Sequence, residues 1–470
     1  MKLKFCGAAQ AVTGSAHLLT LDDGFTILLD CGLYQGKAKD MKGFNEEWLF
    51  EPSQIDCVIL SHAHIDHTGR LPKLIRDGYA GPVYSTHATR SLCSIMLLDS
   101  ARIQERDTQW LNKRLLKNKK IDRDELIDPL YTTENVHETM TRFVGAGYNQ
   151  WVRIHEDVEV LFRDAGHILG SSSVTLRIQT HERTIHFGFS GDVGRPNRPI
   201  LRDPQKMPAL DYLICESTYG NRLHEAKPDE EEKFLRIIQE TCVERRGKLI
   251  IPAFSVGRTQ EIVYMLDRME TMGQLPHIPV YVDSPLAVNA TMIFGSHPEC
   301  YDSDLNEYLL IDNNPFGFNN LTYVRDVEIS KSLNQLEDAC IIISSSGMMN
   351  AGRVRHHLFN NIDSEKNTLL IVGYCAPGTP GGILRNGVET IKLFGEWKEV
   401  KARIEIMDSF SAHADRNELI EFVEPQKQHV KKIFLVHGEL ESQEVFAQAL
   451  NEEGFEFVEI PELGQEYSLR

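Results

Sequence analysis

The nine residues Ser61 to Gly69 read SHAHIDHTG, and they decide how the rest of the chain is read. Four of them, His62, His64, Asp66 and His67, form an H-x-H-x-D-H pattern directly after the apolar run Asp56 to Leu60. That is a strand ending in a ligand-bearing loop. Alternate residues of an extended segment point the same way, so His62 and His64 can converge on one ion while Asp66 and His67, beyond the turn, face a second. Three histidines in a solvated turn would be the plain alternative; the density of ligand types and the carboxylate at the strand end favour a metal centre. Such a set is incomplete alone, so distant His and Asp residues are expected, each at the end of its own strand.

Outward from that loop, four segments repeat one grammar, an apolar strand followed by Gly or Ser and a ligand-type side chain. They are DAGHILG with His167, SGDVG with Asp192, SFSAHAD with His413 and LVHGE with His437. Small neighbours let each loop approach closely, and strand ends hold ligands firmly. The chemistry suggests a division of labour in which His62, His64 and His167 bind one zinc and Asp66, His67 and His437 the other. Asp192 would bridge them. Two such ions activate a water and clamp both oxygens of an in-line displacement, which suits phosphodiester hydrolysis. His413, if not a ligand, is available to protonate the departing oxygen, with Glu216 in CESTYG orienting it. Asp30, in LLDCG, reads either as a ligand or as a buried carboxylate that supports the ligand loop by accepting backbone N–H bonds, and the four ligands next door favour the second.

Composition narrows the class. At 470 residues the chain exceeds one core, and 41% hydrophobic with 25% charged residues is ordinary for a globular protein. No apolar run reaches a membrane span, and the N-terminus shows no signal-peptide core, so a cytoplasmic protein without a membrane partner is expected. Nine cysteines without a C-x-x-C pair read as reduced core thiols. The net charge of −18 argues against coating nucleic acid through bulk charge.

Along the chain, Lys2 to Ala8, Ala16 to Leu21 and Phe25 to Leu29 are strand-like, the last two bridged by a hairpin turn. Ala88 to Val144 reads as helical, with a basic stretch of Lys113, Arg114, Lys117, Lys119, Lys120 and Arg123. Its functional reading is a lid or backbone-contacting arm; its bland one is a solvated helix. Strands return at Val158 to Arg163, Val174 to Gln179 and Thr184 to Phe189. After Tyr212 to Cys215, the short apolar strands Leu249 to Pro252, Val280 to Asp283, Cys340 to Ser344 and Leu369 to Gly373 alternate with helices. That alternation predicts a parallel, doubly wound α/β unit. Near Arg403 to Ile406 and Lys432 to Val436 the chain is expected to return to the first domain.

HAHIDH with His167 and Asp192 resembles the metallo-β-lactamase fold, and ESTYG, SFSAHAD and LVHGE resemble motifs A, B and C of its β-CASP branch, which processes nucleic acids. GAAQAVTGSAHLL, PAFSVGRTQE, VDSPLA, SSSGMMNAGRVRHHL and GYCAPGTPGG extend the resemblance nearly end to end, toward relatives of the endonuclease subunit of the cleavage and polyadenylation specificity factor and above all their short bacterial members. The resemblance implies a four-layer αββα sandwich of residues 1–215 and 403–470 with a doubly wound β-CASP domain inserted at 218–400, and substrate in the cleft between. It places Glu216 at motif A, His413 at motif B and His437 at motif C, where His marks members acting on RNA. It implies a zinc-dependent ribonuclease, endo- or 5′-3′ exonucleolytic, with single-stranded RNA as partner and a homodimer by analogy. No appended RNA-binding module is expected. Asp66, Glu216 and His413 carry the catalytic expectation, and the ligand mix accommodates Mn2+ as well as two Zn2+.

Candidate substrate contacts are Ser411, fixed by the motif B loop; Ser344, Ser345 and Ser346, after a buried strand; and Arg258 and Arg353, as phosphate partners. Arg258 has a second reading, pairing within its own helix. His356 and His357 read as surface histidines, and His17 and His87 as packing residues. The competing functions are a DNA nuclease, a small-molecule ester or phosphodiester hydrolase, and a non-catalytic RNA-binding protein. The large insertion counts against the second, and the full ligand set against the third.

Overall fold

The computed structural model describes residues 1–36, 43–118, 126–224, 229–373, 375–376, 378–407 and 412–470. They form two compact units, Met1–Leu223 with His413–Arg470, and His224–Ala412. No described helix is long and apolar enough to cross a membrane.

The first unit contains two seven-stranded sheets. One runs in the order Glu466–Ser468, Lys2–Phe5, His17–Thr20, Thr26–Leu29, Cys57–Ile59, Val83–Thr86 and Phe143–Ala146. The other runs Val458–Glu459, Lys432–Val436, Tyr212–Glu216, Thr184–Phe189, Ser172–Gln179, Val158–Asp164 and Trp151–His155. Period-two alternation decides what each face meets. Ile27, Leu29 and Ile59 from one sheet pack with Phe162, Phe187, Ile214 and Phe434 from the other. On the opposite face of the second sheet, Leu213, Cys215 and Leu435 pack against Leu419, Phe422, Phe446 and Leu450 of two helices. This is the αββα sandwich. The expected hairpin is present, with His17 opposite Leu29 and Thr20 opposite Thr26. His17 is buried against the ring edges of Phe5 and Phe189, whereas His87 is exposed at the start of a helix.

The helical reading of 88–144 needs correction. The helix His87–Lys117 and the helix Thr133–Thr141 are followed by the strand Phe143–Ala146, parallel to Val83–Thr86. Its four residues are too few for their own periodicity to be read, and sheet pairing decides them.

The second unit is a six-stranded parallel sheet in the order Leu321–Tyr323, Val280–Val282, Cys340–Ser344, Lys248–Pro252, Thr368–Val372 and Arg403–Met407. The last strand departs from expectation. It does not return to the first unit; Thr368 pairs with Arg403 and Val372 with Met407, and Ile404 and Ile406 pack on the core around Ile371 and Leu393. The chain rejoins the first unit at His413.

All nine cysteines are free and buried, and burial pushes several thiols, Cys6 among them, up to about 12. A buried carboxyl gives the second unit a pH dependence. Asp267 accepts from Tyr308 at 2.7 Å through one oxygen, its other oxygen has no partner, and burial pushes it up to about 7. Its native pKa lies above its unfolded value, so the native state retains a proton the unfolded state has lost. Its contribution to stability therefore falls as pH rises from about 4 through about 7. Asp267→Asn, which keeps the acceptor, is expected to raise stability relative to the parent by roughly 1–2 kcal/mol above pH 7 and by little near pH 4, read from denaturant midpoints across pH.

Candidate metal centre

The strand Cys57–Ile59 delivers Ser61 to the end of the sheet, and a one-turn helix, Ile65–Thr68, turns Asp66 and His67 back toward His62 and His64. The neighbouring loop must come very close. A Cβ on Gly32 would lie 1.7 Å from the carbonyl oxygen of Asp66, so only glycine fits there. Arg70, buried under that loop, donates to the carbonyl oxygens of Gly32 at 2.8 Å and Phe44 at 2.6 Å. His437 follows the strand Lys432–Val436 at φ +52°, with its N–H donating to Ala8 O at 2.8 Å. A β-type φ there would carry the chain onward as a strand.

These ends converge. The Nε2 atoms of His62 and His167 lie 3.1 and 3.2 Å from His64 Nδ1. On the other side His67 Nε2 is 3.1 Å from His437 Nε2, and Asp66 Oδ2 is 3.5 Å from His437 Nε2. Asp192 lies between the two sets. Its Oδ2 is 3.5 Å from both His62 Nε2 and His167 Nε2, and its Oδ1 is 3.2 Å from His67 Nε2 and 3.5 Å from His437 Nδ1. His62, His64, His167 and Asp192 make one possible ion-holding group, Asp66, His67 and His437 another, and Asp192, Glu216 and His413 a third.

The donor set fits metal ions on its own terms. Imidazole nitrogens bound at ~2.0–2.1 Å around a tetrahedral zinc stand roughly 3.3 Å apart, close to the spacings here. Asp192 Oδ1 is buried without a hydrogen-bond partner, and such an oxygen among imidazoles calls for a cation. The charge states of His62, His64 and Asp192 agree with this. Burial, reinforced by His67, pulls His62 well below the usual imidazole range, and burial takes His64 down to about 4 despite Asp66 and Asp192. Burial works against ionising Asp192, but the surrounding imidazoles outweigh it and hold the carboxyl well below the usual carboxylate range. His67 differs: burial opposes its charge, but Asp192 and Asp30 drive it well up, and a bound cation would displace that proton.

Asp30 does more than shape a loop. Its Oδ1 accepts the Ser61 N–H at 2.8 Å, its Oδ2 accepts the Ser61 and Ser15 hydroxyls, and Oδ2 stands 2.6 Å from His67 Nδ1. That contact aims His67 Nε2 at the centre. Such outer partners typically contribute 10- to 100-fold in metal affinity, so Asp30→Asn is expected to weaken zinc binding by about that much in chelator competition. Affinity equal to the parent's would limit Asp30 to the loop.

His413 stands beside the array. Its Nδ1 is 3.2 Å from Glu216 Oε2, its Nε2 is 3.9 Å from Asp192 Oδ2, and its ring centroid is 4.5 Å from that of His167. Glu216 is fully buried, while His413 keeps a fifth of its side chain exposed. Burial opposes a proton on this imidazole, but Glu216 and Asp192 outweigh it and raise it to about 9. Ser411 lies outside the described residues.

The other candidate contacts belong to the second unit and are engaged there. Ser344 donates to Asp283 O, Ser345 to Ser284 and Ser346 to Asn350. Arg353 pairs with Asp283 at 2.6 Å. Arg258 is buried and paired with Glu261 in its own helix, which favours the second of its two readings. His357, expected at the surface, is fully buried 2.6 Å from Asp283 and 2.9 Å from Asn334; His356 is exposed, as expected. Thr218, whose hydroxyl is 3.1 Å from His437 Nδ1, was missed, although it sits two residues past Glu216 in the same motif.

Family models match over most of the chain: the metallo-beta-lactamase superfamily at residues 10–235, the Beta-Casp domain at 259–384 and the Zn-dependent metallo-hydrolase RNA specificity domain at 397–461. The chain belongs to the metallo-β-lactamase superfamily, in its β-CASP branch, and is a metal-dependent hydrolase. It is 34% identical to Ribonuclease TTHA0252 of Thermus thermophilus over 94% of each chain. It is 32% identical to transcription termination factor FttA of Methanosarcina mazei over 92% of this chain and 66% of that one. A crystal structure of a protein of unknown function from Enterococcus faecalis V583 shares the fold at a TM-score of 0.55 and 13% identity, covering 100% of this chain and 99% of that one.

Proposed function

We propose that this chain is a cytoplasmic ribonuclease that hydrolyses phosphodiester bonds of single-stranded RNA at a two-metal centre. The observation that carries the reading is His413, an imidazole outside the two histidine-rich groups, held at one nitrogen by a buried carboxylate and presenting the other toward Asp192. His62, His64 and His167 would hold one zinc ion and Asp66, His67 and His437 the second, with Asp192 shared. When bound, two such ions supply an activated water and the positive charge that displacement at phosphorus requires; manganese suits the same donors.

The chain's own groups do the rest. Asp30 fixes His67, Glu216 orients His413 through Nδ1, and His413 Nε2 donates a proton to the departing oxygen. RNA is preferred over DNA on the motif C histidine, His437, and on the ribonuclease name of the Thermus relative. A small-molecule ester needs no second unit, and the complete ligand set leaves little support for a non-catalytic role.

The test is paired RNA and DNA oligonucleotides of one sequence, 5′-labelled and carrying a monophosphate or a triphosphate, with metal content measured on the same preparation. Cleavage confined to RNA is expected, and product lengths distinguish internal from 5′-terminal attack. Ester turnover without nuclease activity would overturn the reading. A homodimer is the accompanying expectation, checked by sedimentation.

A further inference from the structure

The helix His87–Lys117 is longer than its core contacts require. Its buried residues, Ala88, Thr89, Leu92, Cys93, Met96, Leu97 and Ala101, all lie in its first half, and none follows Ala101. The outer half has two sides. On one, Glu105 turns to accept the Thr133 N–H at 2.8 Å, and the Asn112 amide brackets the backbone of Ile127 at 2.8 and 3.0 Å. On the other, Arg102, Arg106, Trp110, Lys113 and Lys117 are all exposed. At 100° per residue these five fall within ~80° of one another, while Asp107 falls outside that stripe. Arg114 flanks it, with its guanidinium 5.4 Å from the Trp110 ring centroid. A cationic stripe of this kind is out of keeping with a chain of net charge −18.

We propose that this stripe is a docking arm for single-stranded RNA, an inference that rests on the ribonuclease reading. Cations one to two turns apart can neutralise every second or third phosphate of a stacked strand, and an exposed indole among them offers a face on which a base stacks whatever its identity. From Arg102 to Lys117 the stripe is ~22 Å long, about six phosphates of a stacked strand. A second copy of the chain is the less favoured occupant, because protein interfaces deplete lysine at their centres and a twofold contact would set this stripe against its own like charge.

The experiment compares the parent with the triple variant Arg106→Gln/Lys113→Gln/Lys117→Gln and with Trp110→Ala, all at equal metal content and helicity. Binding of cleavage-resistant phosphorothioate RNA of about 30 and about 6 nucleotides is followed by anisotropy across salt. The triple variant is expected to bind the long RNA at least ~10-fold more weakly, with a salt slope shallower by about 2, and Trp110→Ala to lose roughly 10-fold. Turnover of an unmodified RNA of about 6 nucleotides should stay at the parent's value. Unchanged affinity and slope for the long RNA would overturn the arm, as would loss of self-association in sedimentation with RNA affinity intact. A parent that cuts RNA while the variants bind like it refutes the arm alone. A parent that neither binds nor cuts RNA refutes the ribonuclease reading and the arm with it.

Discussion

Asp192→Ala is expected to lose most bound metal and to lower RNA cleavage by at least ~10⁴-fold. The reason lies in how the carboxylate is shared. One oxygen faces His62 and His167 and the other faces His67 and His437, all between 3.2 and 3.5 Å. Without it, five closely packed imidazoles must accommodate two cations with only Asp66 left to offset their charge, and Asp66 belongs to one group. Metal analysis and single-turnover cleavage on the same preparation provide the measurement. Two ions per chain with turnover near the parent's would show that Asp192 bridges nothing.

His413→Ala separates catalysis from metal binding. His413 lies outside the two histidine-rich groups, so metal content should hold near the parent's value while turnover falls ~10²- to 10⁴-fold, the usual worth of a positioned general acid. KM should change little, and an RNA with a better leaving group at the scissile bond should recover part of the rate. Glu216→Gln should give a milder loss, because the amide keeps a contact to His413 Nδ1 but not the charge. Full activity in His413→Ala would assign proton transfer to another group; loss of metal would make His413 a ligand.

The core of the site was legible because its residues are local in sequence. His62, His64, Asp66 and His67 occupy one loop, and their spacing alone separates them into two directions. The strand-end grammar also pointed to His167, Asp192, His413 and His437, since an apolar run ending in small residues and a ligand type needs no knowledge of its neighbours. The contact between Asp30 and His67 was not legible. It joins two parallel strands across a register that only the folded sheet defines.

The errors share that origin. Arg403–Met407 has the same local pattern as a strand of the first unit, and only its pairing with Thr368–Val372 assigns it to the second. His357 looks like a surface residue until Asp283, 74 positions away, is placed against it.

By itself, then, the sequence determined the residue types of the candidate ligands and the parallel class of the inserted sheet, which depend on residue type and short-range period, and its motifs marked the branch of the superfamily. The tertiary structure alone decided which carboxylate orients which imidazole, where the inserted unit ends and which charges remain free. Those depend on distances between residues far apart in the chain, and such distances exist only once the core has packed.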